Sequence, residues 1–432
     1  MTSHLNLSRF DPSQLRVARQ VATRLREAGH VGLIVGGAVR DLLIGRSPKD
    51  VDMVTDARPD QVEALFERTL GVGRAFGIMV VLLDDQEVEL ATFRVDGSYS
   101  DGRHPDAVTY GTTPEEDAAR RDFTCNALFL DPESGQVLDP VGGRDDIVGK
   151  RLDTVGDASR RFAEDGLRLL RMVRFEAQLG FRSASGLHAA AREAADKLEG
   201  VSPERILEEL LRTFREPSPE RALRTLAECD LLERILPGLA EDADARGFAL
   251  KALGHGAEDP VESAATALAI VIEPQPFEAW DSASAEAAEA SARSLKPSRQ
   301  LLRHLLSLWE LRREMPQLVG ANVDPARRAR ALREPASPGA LRLARAWASA
   351  RGETQLVAEL EGLAGWLEEH RELLEPKPWL TARDLIAAGV PQGPQLGEVL
   401  RELETAQLRG ELESVAAARE WLSLRGGEGA AQ

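Results

Sequence analysis

The stretch Val35–Asp52, VGGAVRDLLIGRSPKDVD, decides how this chain reads. The apolar residues Leu33-Ile34-Val35 lead into it as a buried strand. Gly36 and Gly37 follow, then a short helical run, Ala38–Ile44, that carries Arg40 and Asp41. The stretch ends on Asp50-Val51-Asp52, read as part of a second strand. Alternation along a strand puts Asp50 and Asp52 on one face. Two carboxylates so spaced suit Mg²⁺ in an incomplete shell, which leaves positions for phosphate oxygens. Glycines let backbone N–H groups approach a phosphate where a side chain would obstruct. The unit therefore predicts a metal-dependent site for a nucleoside triphosphate. Taken singly, a D-x-D is an ordinary solvated pair and a G-G an ordinary turn; the information lies in their combination.

Outward from this stretch, the chain has 432 residues, too many for one ordinary core, and two to four domains are expected. With 43% hydrophobic and 29% charged residues it reads as globular. No apolar run is long enough to span a bilayer, and MTSHLNLSRFDPSQ lacks the apolar core of a signal peptide. Two cysteines, Cys125 and Cys229, make neither a disulfide framework nor a Cys-rich zinc site. A cytoplasmic location and no membrane partner are expected. The net charge of −17 counts against a nucleic-acid partner on average, but binding follows the local field of one face.

Asp11-Pro12-Ser13-Gln14 is a helix start, with Leu15, Ala18, Ala22 and Leu25 at helical spacing and Gly29 as the stop. Pro59–Leu70 reads as a second amphipathic helix. Ile78–Leu83 and Val88–Phe93 are rich in β-formers and flank Asp84-Asp85-Gln86, which predicts a hairpin. Leu128–Leu130 and Gln136–Leu138 predict another about Ser134-Gly135. A small mixed sheet backed by helices follows. Arg94–Thr113 has glycines, charges and no sustained period, and reads as a loop. From Ile147 onward helical periodicity takes over. Arg161–Gly180 reads as one helix, and Ser202-Pro203 starts another. Further helices are broken at Pro217-Ser218-Pro219 and at Pro335–Gly339, and the glycine-rich C-terminal tail is expected to lack fixed structure.

Three downstream motifs bear on the opening stretch. Glu89 and Glu87 share one face of the predicted hairpin, so alternation alone does not choose a third carboxylate between them. Arg120-Arg121-Asp122-Phe123-Thr124-Cys125-Asn126 supplies guanidinium groups for triphosphate oxygens, while Asp122 and Asn126 are able to bond ribose hydroxyls. Cys125 reads as a small packed hydrophobe. Glu164-Asp165-Gly166-Leu167-Arg168 places an aspartate and an arginine three apart, on one face of a helix. An acceptor beside a donor suits cytosine and adenine, which both pair an amino donor with a ring-nitrogen acceptor; uracil and guanine present the reverse.

Together these motifs closely resemble the class II tRNA nucleotidyltransferases, the CCA-adding enzymes, and their bacterial poly(A) polymerase relatives. R-R-D-F-T-x-N-A and E-D-x-x-R are both present, and Asp384–Glu411 resembles the C-terminal region of bacterial members. The likeness reaches nearly the full length and is sparsest across Leu239–Leu373. It implies catalysis by Asp50, Asp52 and Glu89, the acidic residue before T-x-R, with metal on Asp50 and Asp52. The implied nucleotide-binding set is Gly36, Gly37, Arg40, Asp41, Arg120, Arg121, Asp122, Asn126, Asp165, Arg168, Arg171 and Arg174. Many relatives carry proline at Gly166, where glycine is expected to loosen the helix start by up to ~1 kcal/mol. Arg94–Thr113 resembles the flexible head segment of full CCA-adding and A-adding members, with His104 where many have arginine.

The resemblance implies an α/β nucleotidyltransferase head (1–146), a helical neck that reads the base (147–215), a helical body (216–375) and a helical tail that binds tRNA (376–432). It implies CTP and ATP as substrates, two Mg²⁺ ions during catalysis, and the tRNA 3′ end as acceptor, with no DNA partner. Terminal A addition and poly(A) synthesis share every motif quoted and stay open, as does the oligomeric state. A catalytically silent RNA-binding protein and a small-molecule nucleotidyltransferase are the rival classes. Intact acidic and arginine motifs count against the first, and the long helical half counts against the second. No His-Asp pair occurs, so the appended HD domain of some relatives is not expected; nor is there a P-loop.

Overall fold

The computed structural model describes residues 4–96, 108–254, 260–273, 282–320, 322–369, 374 and 377–428. The chain forms two compact units, Met1–Glu241 and Asp242–Gln432.

The first unit begins with helix α1 (Pro12–Glu27), capped by the Asp11 carboxylate, which accepts the backbone N–H groups of Ser13 and Gln14. Its apolar stripe, Val17, Ala18, Val21, Ala22 and Leu25, is fully buried. Strands β1 (Gly32–Val35), β2 (Met53–Thr55), β3 (Thr69–Gly73), β4 (Ile78–Leu83), β5 (Gln86–Thr92), β8 (Phe129–Leu130) and β9 (Val137–Leu138) form one sheet in the order β3-β4-β5-β2-β1-β8-β9. Only β2 and β5 pair in parallel, so the sheet is mixed, as the pattern predicted. Leu33, Val35, Val54, Phe93, Ala127 and Phe129 form a core cluster on it. At the β4–β5 hairpin Asp84 and Asp85 have φ of 51° and 59°, the left-handed pair that a two-residue turn of matching twist requires.

Four expectations need correction. Asp50 and Asp52 lie in the irregular segment before β2 and not inside a strand. Helix α3 (Pro59–Leu65) stops five residues early, because Thr69–Gly73 pairs with β4 at the sheet edge and tertiary pairing overrides helical patterning. The Arg94–Thr113 segment is not loop throughout: β6 (Arg94–Asp96) pairs with β7 (Val108–Tyr110). His104 and the rest of 97–107 lie outside the described residues. The predicted helix over 161–180 is two helices, α6 (Ala158–Glu164) and α7 (Leu167–Leu179). Between them Asp165 is extended, at φ −148° and ψ 110°.

The neighbouring elements are helices α2 (Gly37–Leu43), α4 (Pro114–Ala119) and α5 (Gly143–Val148), the strand β10 (Arg151–Leu152) paired with β11 (Arg182–Ser183), then α8 (Leu187–Glu193), α9 (Pro203–Thr213) and α10 (Pro219–Glu228). The second unit is helical. Trp309 and Trp347 are fully buried, and Trp309 Nε1 donates to the Ala269 carbonyl at 3.2 Å. Leu380, Leu385, Leu403 and Leu412 form a separate cluster near the C-terminus. The last helix runs through the glycine-rich stretch to Glu428, and residues 429–432 lie outside the described ones. Among the described residues no helix is long and apolar enough to cross a membrane.

Candidate active site

The site is built where β1 turns into α2. Gly36 has φ 73° and ψ −126°, a conformation closed to residues with a Cβ, and its N–H donates to the Leu128 carbonyl at 3.0 Å. A Cβ on Gly36 would stand 3.5 Å from Arg121 Nη1, so the turn and the arginine lie side by side. Arg40, buried on α2, donates from Nη1 to Asn126 Oδ1 at 2.7 Å and from Nη2 to Asp41 Oδ1 at 2.8 Å. The opening stretch and the Arg-Arg-Asp motif therefore meet, though they are 86 residues apart at that bond.

The acidic residues converge by register. Met53 pairs with Leu90 in the parallel β2–β5 ladder, and the residues just before them are Asp52 and Glu89. Glu89 is thus the residue brought to Asp52, with Glu87 two positions further along β5. The Asp52 side chain reaches solvent, yet protein packed around it, and then the Asp50 charge, push its pKa up, while Arg121 pulls it down. Burial and then the Asp52 charge raise Glu89 likewise. Among the described residues no group of three or more ligating side chains gathers closely enough to hold a metal by itself. Carboxylates crowded against their own charge, with an incomplete protein shell, fit Mg²⁺ bound jointly with phosphate oxygens.

The arginines are held by acids, two of which, Asp117 and Glu209, sequence reading missed. Asp117, wholly buried on α4, accepts Arg120 Nη2 at 2.6 Å and Arg121 Nε at 2.9 Å. Burial pushes the Asp117 carboxyl up, but Arg121 and Arg120 more than offset this and hold it below the usual range. The same holds for Asp122, whose Oδ2 accepts Arg171 Nε at 2.6 Å. Arg174 donates to Glu209 at 2.5 Å on α9. Its guanidinium sits 4.3 Å from the Phe175 ring centre, with those of Arg40 and Arg171 each 5.5 Å away. The helical spacing of Asp117 to Arg120 and Arg121 was a readable signal; the Glu209 and Phe175 contacts are tertiary and left none.

The E-D-x-x-R segment is wired differently from the expected helical pair. Arg168 Nη1 donates to Glu164 Oε2 at 2.5 Å and Nη2 to the Arg120 carbonyl at 3.3 Å, tying α7 to the arginine motif. Asp165 Oδ1 accepts the Leu167 N–H at 3.0 Å, and Oδ2 accepts Arg205 Nη2 at 3.0 Å. Gly166 is the N-cap of α7. A Cβ there would lie 2.4 Å from the Lys197 carbonyl oxygen, so its missing side chain permits a close backbone contact. Cys125 is fully buried and its thiol is pushed up to about 12 by burial, which fits the packed-hydrophobe reading.

Fold and site define the class, a nucleotidyltransferase head followed by helices. A family model described as "Poly A polymerase head domain" matches residues 33–153, and one described as "Probable RNA and SrmB- binding site of polymerase A" matches 180–242. The chain is 31% identical to the CCA-adding enzyme of Levilactobacillus brevis over 420 residues, 93% of this chain and 95% of that one. It is 44% identical to the CCA-adding enzyme of Bacillus pumilus over 50% of this chain, a stretch that spans about half the relative's length, 54%. The Bacillus stearothermophilus CCA-adding enzyme, solved in complex with CTP, superposes with a TM-score of 0.70 at 28% identity, covering 97% of this chain and 98% of that one. This chain belongs to the CCA-adding enzyme family.

Proposed function

We propose that the protein adds CCA, from CTP and ATP, to the 3′ end of tRNA without a template. The carrying observation is the meeting of three things in one unit: the Asp50, Asp52 and Glu89 acids, the Arg121 guanidinium beside Gly36, and the Asp165–Arg168 segment tied to Arg120. The CTP complex of the Bacillus stearothermophilus relative supports the reading. In this reading residues 1–146 form the head, 147–215 the neck, 216–375 the body and 376–432 the tRNA-binding tail, and the enzyme is cytoplasmic. RNA is bound through backbone and shape, since one enzyme serves every tRNA.

The reaction is in-line attack of the RNA 3′-hydroxyl oxygen on the α-phosphorus. The new P–O bond forms as the bond from the α-phosphorus to the bridging oxygen breaks, the hydroxyl proton passes to solvent water and pyrophosphate leaves. Asp50 and Asp52 would hold Mg²⁺, which when bound withdraws charge from the attacking and leaving oxygens; Glu89 sets the negative field beside them. Arg121 and Arg120, steadied by Asp117, hold triphosphate oxygens. Asp122 and Asn126 meet the ribose. Asp165 accepts from the base's amino group and Arg168 donates to its ring nitrogen, so uracil and guanine are refused.

Incubation with tRNA transcripts ending before CCA, after the first C and after CC, each with labelled CTP or ATP, tests the proposal. The expected result is CTP incorporation on the first two and ATP on the third. ATP incorporation only, and only after CC, would select the A-adding reading, and long A tails the poly(A) reading.

A further inference from the structure

A cleft of about 460 Å³ opens between β11, α8 and the later part of α7 on one side and α10 on the other, where the proposed neck passes into the proposed body. Its floor is Glu176, 2% exposed, both of whose oxygens are taken. Oε1 accepts Ser183 Oγ and, at 2.7 Å, His188 Nε2; Oε2 accepts Thr225 Oγ1 at 2.7 Å. Around this satisfied acid stand three guanidiniums, Arg182, Arg221 and Arg224. Arg221 is anchored by donating to the Phe181 carbonyl. Arg182 and Arg224 are exposed and have no carboxylate partner among the described residues. The other acid at the rim, Glu228, is largely in solvent and lies 3.6 Å from His188 Nδ1.

In a protein of net charge −17, two unpaired arginines beside a third fixed one are a local reversal of sign. Planar guanidiniums without carboxylates present donors in the geometry that phosphate oxygens accept. A cleft of this size lies within the range of ordinary ligand sites. The cleft is also joined to Arg168, proposed above to read the base, by one continuous helix, α7. Glu176 follows Arg168 on α7 by eight residues, which is roughly 12 Å along the helix axis and about 80° around it. With roughly 3.4 Å of axis per phosphate in a stacked strand, a strand ending at Arg168 is three to four steps from the cleft. All of the cleft except Glu176 falls in residues 180–242, matched by the model described as a probable RNA-binding site.

We propose that this cleft is a phosphate site for the RNA acceptor, in which Arg182 and Arg224, with Arg221 behind them, hold a backbone phosphate a few nucleotides from the 3′ end. The proposal rests on the tRNA reading above and adds to it a defined contact remote from the chemistry. Such a contact fixes the acceptor without reading sequence.

The test compares the full-length wild type with Arg182→Ala/Arg224→Ala on a tRNA transcript ending in CC, varying RNA and ATP separately, at two or more salt concentrations. The double variant is expected to raise KM for RNA about tenfold, leave KM for ATP and kcat at saturating RNA as in wild type, and lower the salt dependence of RNA binding by about one to two phosphate contacts. Arg182→Lys/Arg224→Lys, which keeps the charge, is expected to recover part of the RNA affinity. Unchanged RNA KM and unchanged salt dependence, in a variant with wild-type thermal melting, overturn the phosphate site alone. If wild type incorporates nothing on any tRNA, the proposed function and the site fall together.

Discussion

Asp165 is bound to Arg205 at 3.0 Å and not to Arg168, whose guanidinium goes to Glu164 at 2.5 Å. The two side chains proposed to read the base are thus each held by a separate partner, and neither neutralises the other. Arg205→Ala removes one of the two donors that aim the Asp165 carboxylate, leaving only the Leu167 N–H. Nucleotide KM should rise about tenfold, equivalent to roughly 1.4 kcal/mol, and UTP should compete better against CTP. Single-nucleotide incorporation with each of the four triphosphates measures both. An unchanged CTP-to-UTP ratio would remove Arg205 from selection.

Asp117 is wholly buried and serves two arginines at once. Asp117→Asn keeps the shape but withdraws the charge, leaving Arg120 and Arg121 without their counter-ion. Breaking such a buried arrangement costs about 3–5 kcal/mol. A fall in melting temperature together with a higher KM for ATP is expected. A stable variant with normal kinetics would show that the arginines need no such support.

Asp50→Ala with Asp52→Ala should abolish incorporation without harming the fold. Asp52 already sits at a raised pKa through burial and through Asp50, so removing both carboxylates relieves repulsion, while Arg121 loses one attraction but keeps Asp117. Melting temperature measured without metal should stay level or increase. Residual incorporation near wild type would refute the assignment of these acids.

Gly166→Ala tests the close approach of the α6–α7 joint to Lys197. The added methyl meets backbone at 2.4 and 2.7 Å and no flexible side chain, so one segment must move. Overpacking of this kind typically costs about 1–3 kcal/mol. Because the displaced residues adjoin Asp165 and Arg168, nucleotide KM should rise along with the loss of stability, and melting curves paired with CTP kinetics would show it.

Glu176 on α7 and His188 on α8 should give the first unit a pH signature. The hydrogen bond to Glu176 raises the His188 pKa. Burial pushes Glu176 up, but His188, Ser183 and Thr225 more than offset this and hold its carboxyl below the usual range. The histidine's contribution is complete below its unfolded value of about 6.5 and fades as pH climbs through the raised folded value. The carboxylate's contribution is complete above an unfolded value of about 4.3 and fades as pH falls through the lowered one. Between those limits the pair stabilises fully. His188→Gln should therefore flatten the alkaline limb of melting temperature against pH and, because His188 is also the first group holding Glu176 down, weaken the acid limb in part, with Ser183 and Thr225 retaining the rest.

Much of the head was readable in the sequence because its signals are local. Asp84-Asp85 marked the β4–β5 hairpin, and Asp11-Pro12 marked the start of α1. Where distant pairing decides, local reading failed. Thr69–Gly73 is a strand only because β4 lies beside it, and the helix expected through Asp165 breaks where Gly166 packs on Lys197. The family motifs picked out candidate residues but not the partners that hold them. Arg174 and Glu209 are 35 residues apart and Asp122 and Arg171 are 49 apart, separations at which no periodicity speaks.

The acids behind the arginines have a consequence for how a charged ligand arrives. Arg40, Arg120, Arg121, Arg168, Arg171 and Arg174 all start out with an oxygen acceptor from the protein. In the proposed function the site would therefore work as an ion exchanger and not as a bare positive trap. A polyphosphate gains only the difference between its own oxygens and the carboxylates or carbonyls that it rivals. Weak anions, a lone phosphate or a carboxylate metabolite, gain almost nothing by that swap, while a chelated triphosphate gains at several positions together. If these arginines hold the triphosphate as proposed, the site would resist the cell's abundant small anions and favour a ligand that replaces several acceptors together.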